Sequence, residues 1–133
     1  MATFSVEIVA PDKKVWEGNA KIVSFRTLEG SMGVLEKRAP ILVALDIAPL
    51  IVETENGKIE FAVHGGMLKM DGEKLIVLTD AAEKAEDIDL YRAEAAKKRA
   101  QNRLEKAKND MEKLRANVSM QKNILRIDIG KKG

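Results

Sequence analysis

Residues 79–89 read Thr79-Asp80-Ala81-Ala82-Glu83-Lys84-Ala85-Glu86-Asp87-Ile88-Asp89, and the chain changes character within them. Upstream, residues 1–72 hold all three prolines and seven of the nine glycines. Downstream, residues 73–129 hold neither, and Ala, Glu, Lys, Arg and Leu dominate from Ile88 onward. Such punctuation separates a turn-rich β region from a helical one. The chain therefore reads as α+β, with a β unit over residues 1–84 and a helical unit over 85–133.

Working back from the boundary, short strands are spelled out by period-two patterns. Phe4, Val6 and Ile8 alternate with Ser5 and Glu7. Ile22–Phe25, Ile41–Leu45 and Leu50–Val52 follow as apolar runs. Asn56-Gly57 separates Leu50–Glu55 from Lys58–Val63, and Asp71-Gly72 separates Met67–Met70 from Lys74–Leu78. Both dipeptides favour two-residue hairpin turns, in which the backbone takes positive φ. Several short strands at this spacing predict a sandwich or barrel.

Working forward, Ala93, Ala96, Ala100, Leu104, Ala107, Met111, Leu114 and Val118 recur in steps of three and four. That spacing marks one helical face. Asp87 is placed to cap a helix starting at Ile88, and Asn109 with Glu112 forms a near-match to a capping box. Two helices joined near 107–110 are predicted. The stripe keeps its phase through the break, so a folded hairpin and a single rod of about 60 Å, at about 1.5 Å per residue, both fit. The closing run Ile127–Gly133 has no assignment from pattern.

The bulk numbers narrow the function. The chain has 133 residues, enough for one sandwich-sized core and an appendage. It has no cysteine, which removes disulfides, thiolate metal sites and thiol nucleophiles. No apolar run approaches the roughly 20 residues of a membrane-spanning helix, and Met1–Phe4 does not begin a signal peptide. The net charge of +2 hides an asymmetry. Residues 1–84 carry 10 Lys/Arg against 13 Asp/Glu, and residues 85–133 carry 13 against 8.

Catalytic chemistry is hard to assemble. His64 is the single histidine, so neither a metal cluster nor a Ser/His/Asp triad forms around it. It reads as structural or incidental. Glu29-Gly30-Ser31-Met32-Gly33 lacks the Lys-Ser/Thr of a phosphate loop and reads as a tight turn between strands. Gly65-Gly66 reads as a bend where backbones approach closely. Lys97-Lys98-Arg99, Arg103, Lys106 and Lys108 are interleaved with Glu94, Glu105, Asp110 and Glu112, with only Tyr91 to stack on a base. A solvated face is the better reading, and nucleic acid is not expected as a partner.

Several runs together resemble the epsilon subunit of bacterial and chloroplast F-type ATP synthases. Val9-Ala10-Pro11-Asp12-Lys13 with Val15-Trp16-Glu17-Gly18 is similar to the family's opening. Glu29–Leu35 is similar to its G-x-x-G-x-L loop, Phe61–Leu68 to A-V-x-G-G-F-x, and Ala81–Asp89 to its A-x-x-A-E-x-A-x-[DE]-I-D run. The order matches along nearly the whole chain. The departure is Leu35-Glu36-Lys37-Arg38-Ala39-Pro40-Ile41, where the family pattern has Pro and His at the positions of Glu36 and Arg38.

The resemblance implies a non-catalytic central-stalk subunit, held peripherally on the cytoplasmic face of the inner or plasma membrane. Its β part is expected as a flattened sandwich of about ten strands, packed on the gamma subunit and the c-ring. Glu29, Gly30, Ser31, Met32 and Gly33 are expected to face the c-ring. The two-helix hairpin is expected to extend along gamma towards the alpha and beta subunits and restrain ATP hydrolysis. Lys113, Arg115, Lys122 and Arg126 would carry that inhibitory helix, with Leu114, Val118 and Leu125 in contact with gamma.

No cofactor is required, but ATP is implied as a regulatory ligand. Ile88-Asp89-Leu90-Tyr91-Arg92-Ala93 matches the family's I/L-D-x-x-R-A motif in full. The residues so implied are Glu83, Ile88, Asp89, Arg92 and Ala93, with Lys122 and Arg126 for the phosphates. A free-standing ATP-binding sensor module is the alternative function.

Overall fold

The computed structural model describes residues 3–30, 32–35, 40–72 and 74–132. It divides into two compact units, residues 1–84 and 85–133.

The first unit is built of eight strands among the described residues. They are β1 (Phe4–Ala10), β2 (Lys13–Ala20), β3 (Ile22–Arg26), β4 (Met32–Leu35), β5 (Ile41–Thr54), β6 (Gly57–Asp71), β7 (Lys74–Leu78) and β8 (Ala82–Lys84). They pair in the order β2-β1-β7-β6-β5-β3-β4, with β8 also on β6. All pairs are antiparallel except β1 with β7.

Two long strands turn this sheet into a sandwich. β5 and β6 run 14 and 15 residues. Their halves Ile41–Leu45 and Gly66–Met70 pair together, and β7, β1 and β2 continue from that side. Their other halves, Ile47–Thr54 and Gly57–His64, carry β3 and β4 on one edge and β8 on the other. Sheets turn such corners at bends and bulges within shared strands. Here the bend is Gly65-Gly66, both at positive φ. A Cβ on Gly66 would stand 2.1 Å from the Leu78 carbonyl oxygen, so only glycine fits where β6 passes the end of β7.

The expected runs Ile41–Leu45 and Leu50–Val52 are thus one strand. Pro49, which has no N–H for a ladder, lies in β5 between the bridge of Leu45 to Thr27 and the pairing of Ile51 with Ser24, where β3 makes no ladder pair with it. Merging of this kind is why the described strands number eight where about ten were expected.

The hairpin turns differ in detail from the prediction. Thr54 pairs with Gly57, so the loop is Glu55-Asn56 and Gly57 already belongs to β6. Among the described residues no non-glycine has positive φ, which rules out a turn with both central residues in that region. The Thr54 hydroxyl instead accepts from Asn56 N and donates to Gly57 O, at 3.1 and 2.9 Å. Asp71 likewise stays in the ladder opposite Lys74.

The alternation read at the N-terminus holds: Phe4, Val6 and Ile8 are buried, and Ser5, Glu7 and Val9 are only partly so. They meet Val23, Phe25, Leu50, Val52, Phe61, Val63, Leu68, Met70, Leu75 and Val77 in one core. Only two aromatic rings of that core are in the shared strands and β3, and Trp16 packs on Phe61 with ring centroids 6.1 Å apart. The exposed edge at β2 is charged. Lys14 bonds Glu17 at 2.9 Å within β2, and further in Lys74 of β7 bonds Glu7 of β1 at 3.1 Å. The hydrogen bond and charge of Lys14 hold the Glu17 carboxyl below its ordinary range. Charged edge strands resist pairing with another chain.

The second unit is an αα-hairpin. A single 3₁₀ turn, Ala85–Asp87, precedes α1 (Leu90–Glu105) and α2 (Asp110–Lys132). Asp87 lies in the 3₁₀ turn, so it does not cap. Asp89 does: it has extended backbone and its carboxylate accepts from Arg92 N at 3.0 Å. The break falls where Asn109 and Glu112 were read as a near capping box. Glu112 N donates to Asn109 Oδ1 at 2.9 Å, while the Glu112 carboxylate reaches Lys108 N at 2.7 Å, one residue before the cap.

The apolar stripe does not survive that break. Ala93 and Ala100 of α1 are buried, but Met111 and Leu114 of α2 are 57% and 58% exposed. Once the chain reverses, a different face of α2 turns inward, marked by Ala116, Asn123, Leu125, Ile127 and Ile129. Alanines at the α1–α2 contact let the two backbones come close. The unassigned run Ile127–Lys132 is helical and belongs to α2.

Candidate functional site

The sequence-derived residues fall into two places in the helical unit and two in the β unit. The first is the entry of α1. Ile88 and Leu90 are partly buried and bracket Asp89, which is exposed and engaged as the cap. The cap accepts the backbone N–H of Arg92, so the side chain of Arg92 starts from a fixed first turn and lies exposed. Ala93 is buried on the inner face, one residue further on. The motif thus has two jobs in one turn: Ile88, Leu90 and Ala93 pack, and Asp89 and Arg92 are presented outward.

The second place is the middle of α2. Arg115, Lys122 and Arg126 line a shallow groove of about 390 Å³ together with Leu114, Val118 and Asn123. Spacings of seven and four residues put these three cations on one side of the helix. Lys113, grouped with them in sequence, is exposed and does not line the groove. Asn123 was not among the expected residues. It is only 3% exposed, donates to the Ser119 carbonyl at 2.8 Å, and accepts from Arg126 Nη1 at 3.1 Å. A buried polar group needs partners, and here one of them is a groove cation. A lone Asn among apolar and basic residues carries no periodic signal, so pattern reading passed over it.

The third place is Glu83 in β8. Its Oε1 lies 3.0 Å from Nε2 of His64. His64 has no exposed side-chain surface, and its Nδ1 has no partner. The structural reading of His64 agrees with this burial. Thr79 strengthens the same corner, its hydroxyl within hydrogen-bond reach of the Gly65 and Ala81 carbonyls.

Of the loop expected to face the c-ring, Glu29 and Gly30 are exposed, and Gly30 closes a turn by donating its N–H to Thr27 O at 3.0 Å. Its φ of 83° is one glycine adopts readily. Met32 and Gly33 open β4. Ser31 lies outside the described residues, as do Glu36, Lys37, Arg38 and Ala39 of the departing loop. Among the described residues no group of three or more His, Cys, Asp or Glu side chains is arranged to hold a metal ion. No described helix is long and apolar enough to cross a membrane.

Comparison with known proteins matches both units. The family described as the beta-sandwich domain of the ATP synthase delta/epsilon chain matches residues 3–85, and the long alpha-helix domain of the same chain matches residues 86–131. The ATP synthase epsilon chain of Ruminiclostridium cellulolyticum is 39% identical over 127 residues, 96% of this chain and 95% of the relative. That of Shouchella clausii is 35% identical over 98% of this chain and 97% of its own. A chain in the cryo-EM structure of Euglena gracilis mitochondrial ATP synthase superposes with a TM-score of 0.76 at 18% identity, covering 91% of this chain and 77% of that one. A chain in the central stalk and c-ring structure of Tetrahymena thermophila mitochondrial ATP synthase gives 0.62 at 16%, covering 95% of each. With both units matched in order and close relatives along almost the full length, the chain belongs to the epsilon-chain family of bacterial F-type ATP synthases.

Proposed function

We propose that this chain is a non-catalytic rotor subunit of the central stalk, coupling the c-ring and gamma to the catalytic alpha and beta subunits. The observation that carries this reading is the full-length agreement with bacterial epsilon chains, across both the sandwich and the hairpin. It acts on the cytoplasmic face of the membrane, held there through its partners.

The sandwich supplies a docking face. Leu42 is 64% exposed, Leu78 53% and Met67 39%. Met67 pairs directly with Leu78, and Leu42 is two residues from Ala44, the partner of Met67. Of their inward neighbours, Leu68 and Val77 belong to the core and Val43 packs against it, so the three apolar side chains share the outer face. A contiguous exposed apolar patch marks an interaction site. Gamma is its partner in this reading.

The hairpin supplies regulation. Arg115, Lys122 and Arg126 on one groove suit approach to acidic segments, or to the phosphates of a regulatory ATP bound with Arg92 and Asp89. The test is reconstitution with and without residues 88–133. Hydrolysis is expected to rise in the truncated complex while assembly on gamma persists. Unchanged hydrolysis overturns the inhibitory role, and failure of the full chain to bind gamma overturns the rotor assignment.

A further inference from the structure

Gly130 lies inside α2, two residues before its last one. Glycine near a helix end normally serves as a cap at positive φ. Gly130 does not: among the described residues the positive-φ glycines are Gly30, Gly57, Gly65, Gly66 and Gly72. A helical glycine lowers helix stability relative to alanine, and does so wherever that helix forms. Its gain must come from space.

That space is occupied. A Cβ built on Gly130 would stand 2.7 Å from Leu90 Cδ2, 3.2 Å from Leu90 Cγ and 3.2 Å from Ile88 Cγ2, all side-chain atoms, so a single methyl is met by a shift of Leu90 and a branched side chain demands more. Ile127 and Ile129 beside it are buried. The last turn of α2 is therefore seated directly on the two residues that bracket the α1 cap, Asp89. This seat exists only while the hairpin is shut. The helical penalty of glycine persists in α2 whether the hairpin is shut or open.

We propose that Gly130 is a clasp: its missing side chain lets the end of α2 close over Ile88 and Leu90, and so sets the balance between shut and open hairpin. The clasp ties the C-terminal turn to the turn that presents Asp89 and Arg92. The open hairpin is the extended form that the inhibitory reading requires, so the clasp rests on that reading, while the distance measurement below tests it apart from hydrolysis and from nucleotide.

The full chain has no cysteine, so a labelled pair is simple to introduce. Lys98→Cys and Gln121→Cys, both at exposed positions of α1 and α2, carry spin labels for a distance measurement. The parent chain is expected to give one short distance. Gly130→Val is expected to raise the open-to-shut ratio at least about tenfold, with the β circular dichroism unchanged. Adding Leu90→Ala to Gly130→Val is expected to restore the short distance, because the new methyl groups enter the room left by Leu90. An unchanged distance distribution in Gly130→Val overturns the clasp. So does a double variant as open as Gly130→Val alone, which would place its effect somewhere other than this seat.

Discussion

Nε2 of His64 meets Oε1 of Glu83 at 3.0 Å, diagonally across the β6–β8 ladder in which Glu83 faces Ala62. The ring is sealed from solvent while the carboxylate is partly open to it. A residue that the resemblance implies for ATP is therefore also part of the sandwich's own polar bonding.

Removal of either partner should be felt as stability. His64→Ala removes a buried ring and its hydrogen bond, and is expected to lower unfolding free energy by about 2–4 kcal/mol. Glu83→Ala leaves the buried Nε2 without this acceptor and should cost about 1–3 kcal/mol. Denaturant titration checks both, and a neutral His64→Ala would show that the ring is not a packing element.

Two glycines at similar φ should behave differently. Gly66 and Gly57 have φ of 128° and 131°. Gly66 has the Leu78 carbonyl in the way of a Cβ, and Gly57 has nothing within 4 Å. Gly57→Ala should therefore show backbone strain alone, about 1–3 kcal/mol. Gly66→Ala adds a clash with backbone and should exceed it, to the point of poor folding. Equal melting temperatures for the two variants would mean that the corner of the sandwich relaxes freely.

Charge-assisted bonds to phosphate are worth roughly 1.5–3 kcal/mol each. Arg92→Ala is then expected to weaken ATP binding about ten- to a hundredfold in calorimetry. Asp89→Ala loses the cap of α1, worth about 1 kcal/mol of helix stability, and should lower helicity at the hairpin entry as well. The absence of any ATP heat from the parent chain at millimolar nucleotide would sink the ligand assignment.

In the assembled enzyme, Lys113, Arg115, Lys122 and Arg126 changed together to Ala should reproduce part of the rise in hydrolysis seen on removing residues 88–133. Because exposed charges are screened within about 10 Å at 0.1 M salt, the difference between parent and variant should shrink as salt rises. Arg115, Lys122 and Arg126 line the groove and Lys113 does not, so restoring Lys113 alone should recover little of the inhibition. Full recovery from Lys113 would move the inhibitory contact off the groove.

Local chemistry was enough to determine much of this protein. The alternation of Phe4, Val6 and Ile8, the loss of Gly and Pro after Gly72, and the Asn109–Glu112 pair each act over a few residues, so a strand, the boundary region and the helix break were legible without the fold. The family runs from Val9 to Asp89 made the function legible too. Tertiary structure decided the rest, where the cause lies far along the chain. The merging of two apolar runs into β5 depends on β6 pairing along its full length. The cap moved from Asp87 to Asp89 because residues 85–87 take a tighter turn first. Met111 and Leu114 are exposed because α2 reverses and presents another face, although their spacing continued the stripe of α1. Gly130 shows the same limit: it lies in the closing run that pattern left unassigned, and only the positions of Ile88 and Leu90, some forty residues earlier, reveal that it is a close contact.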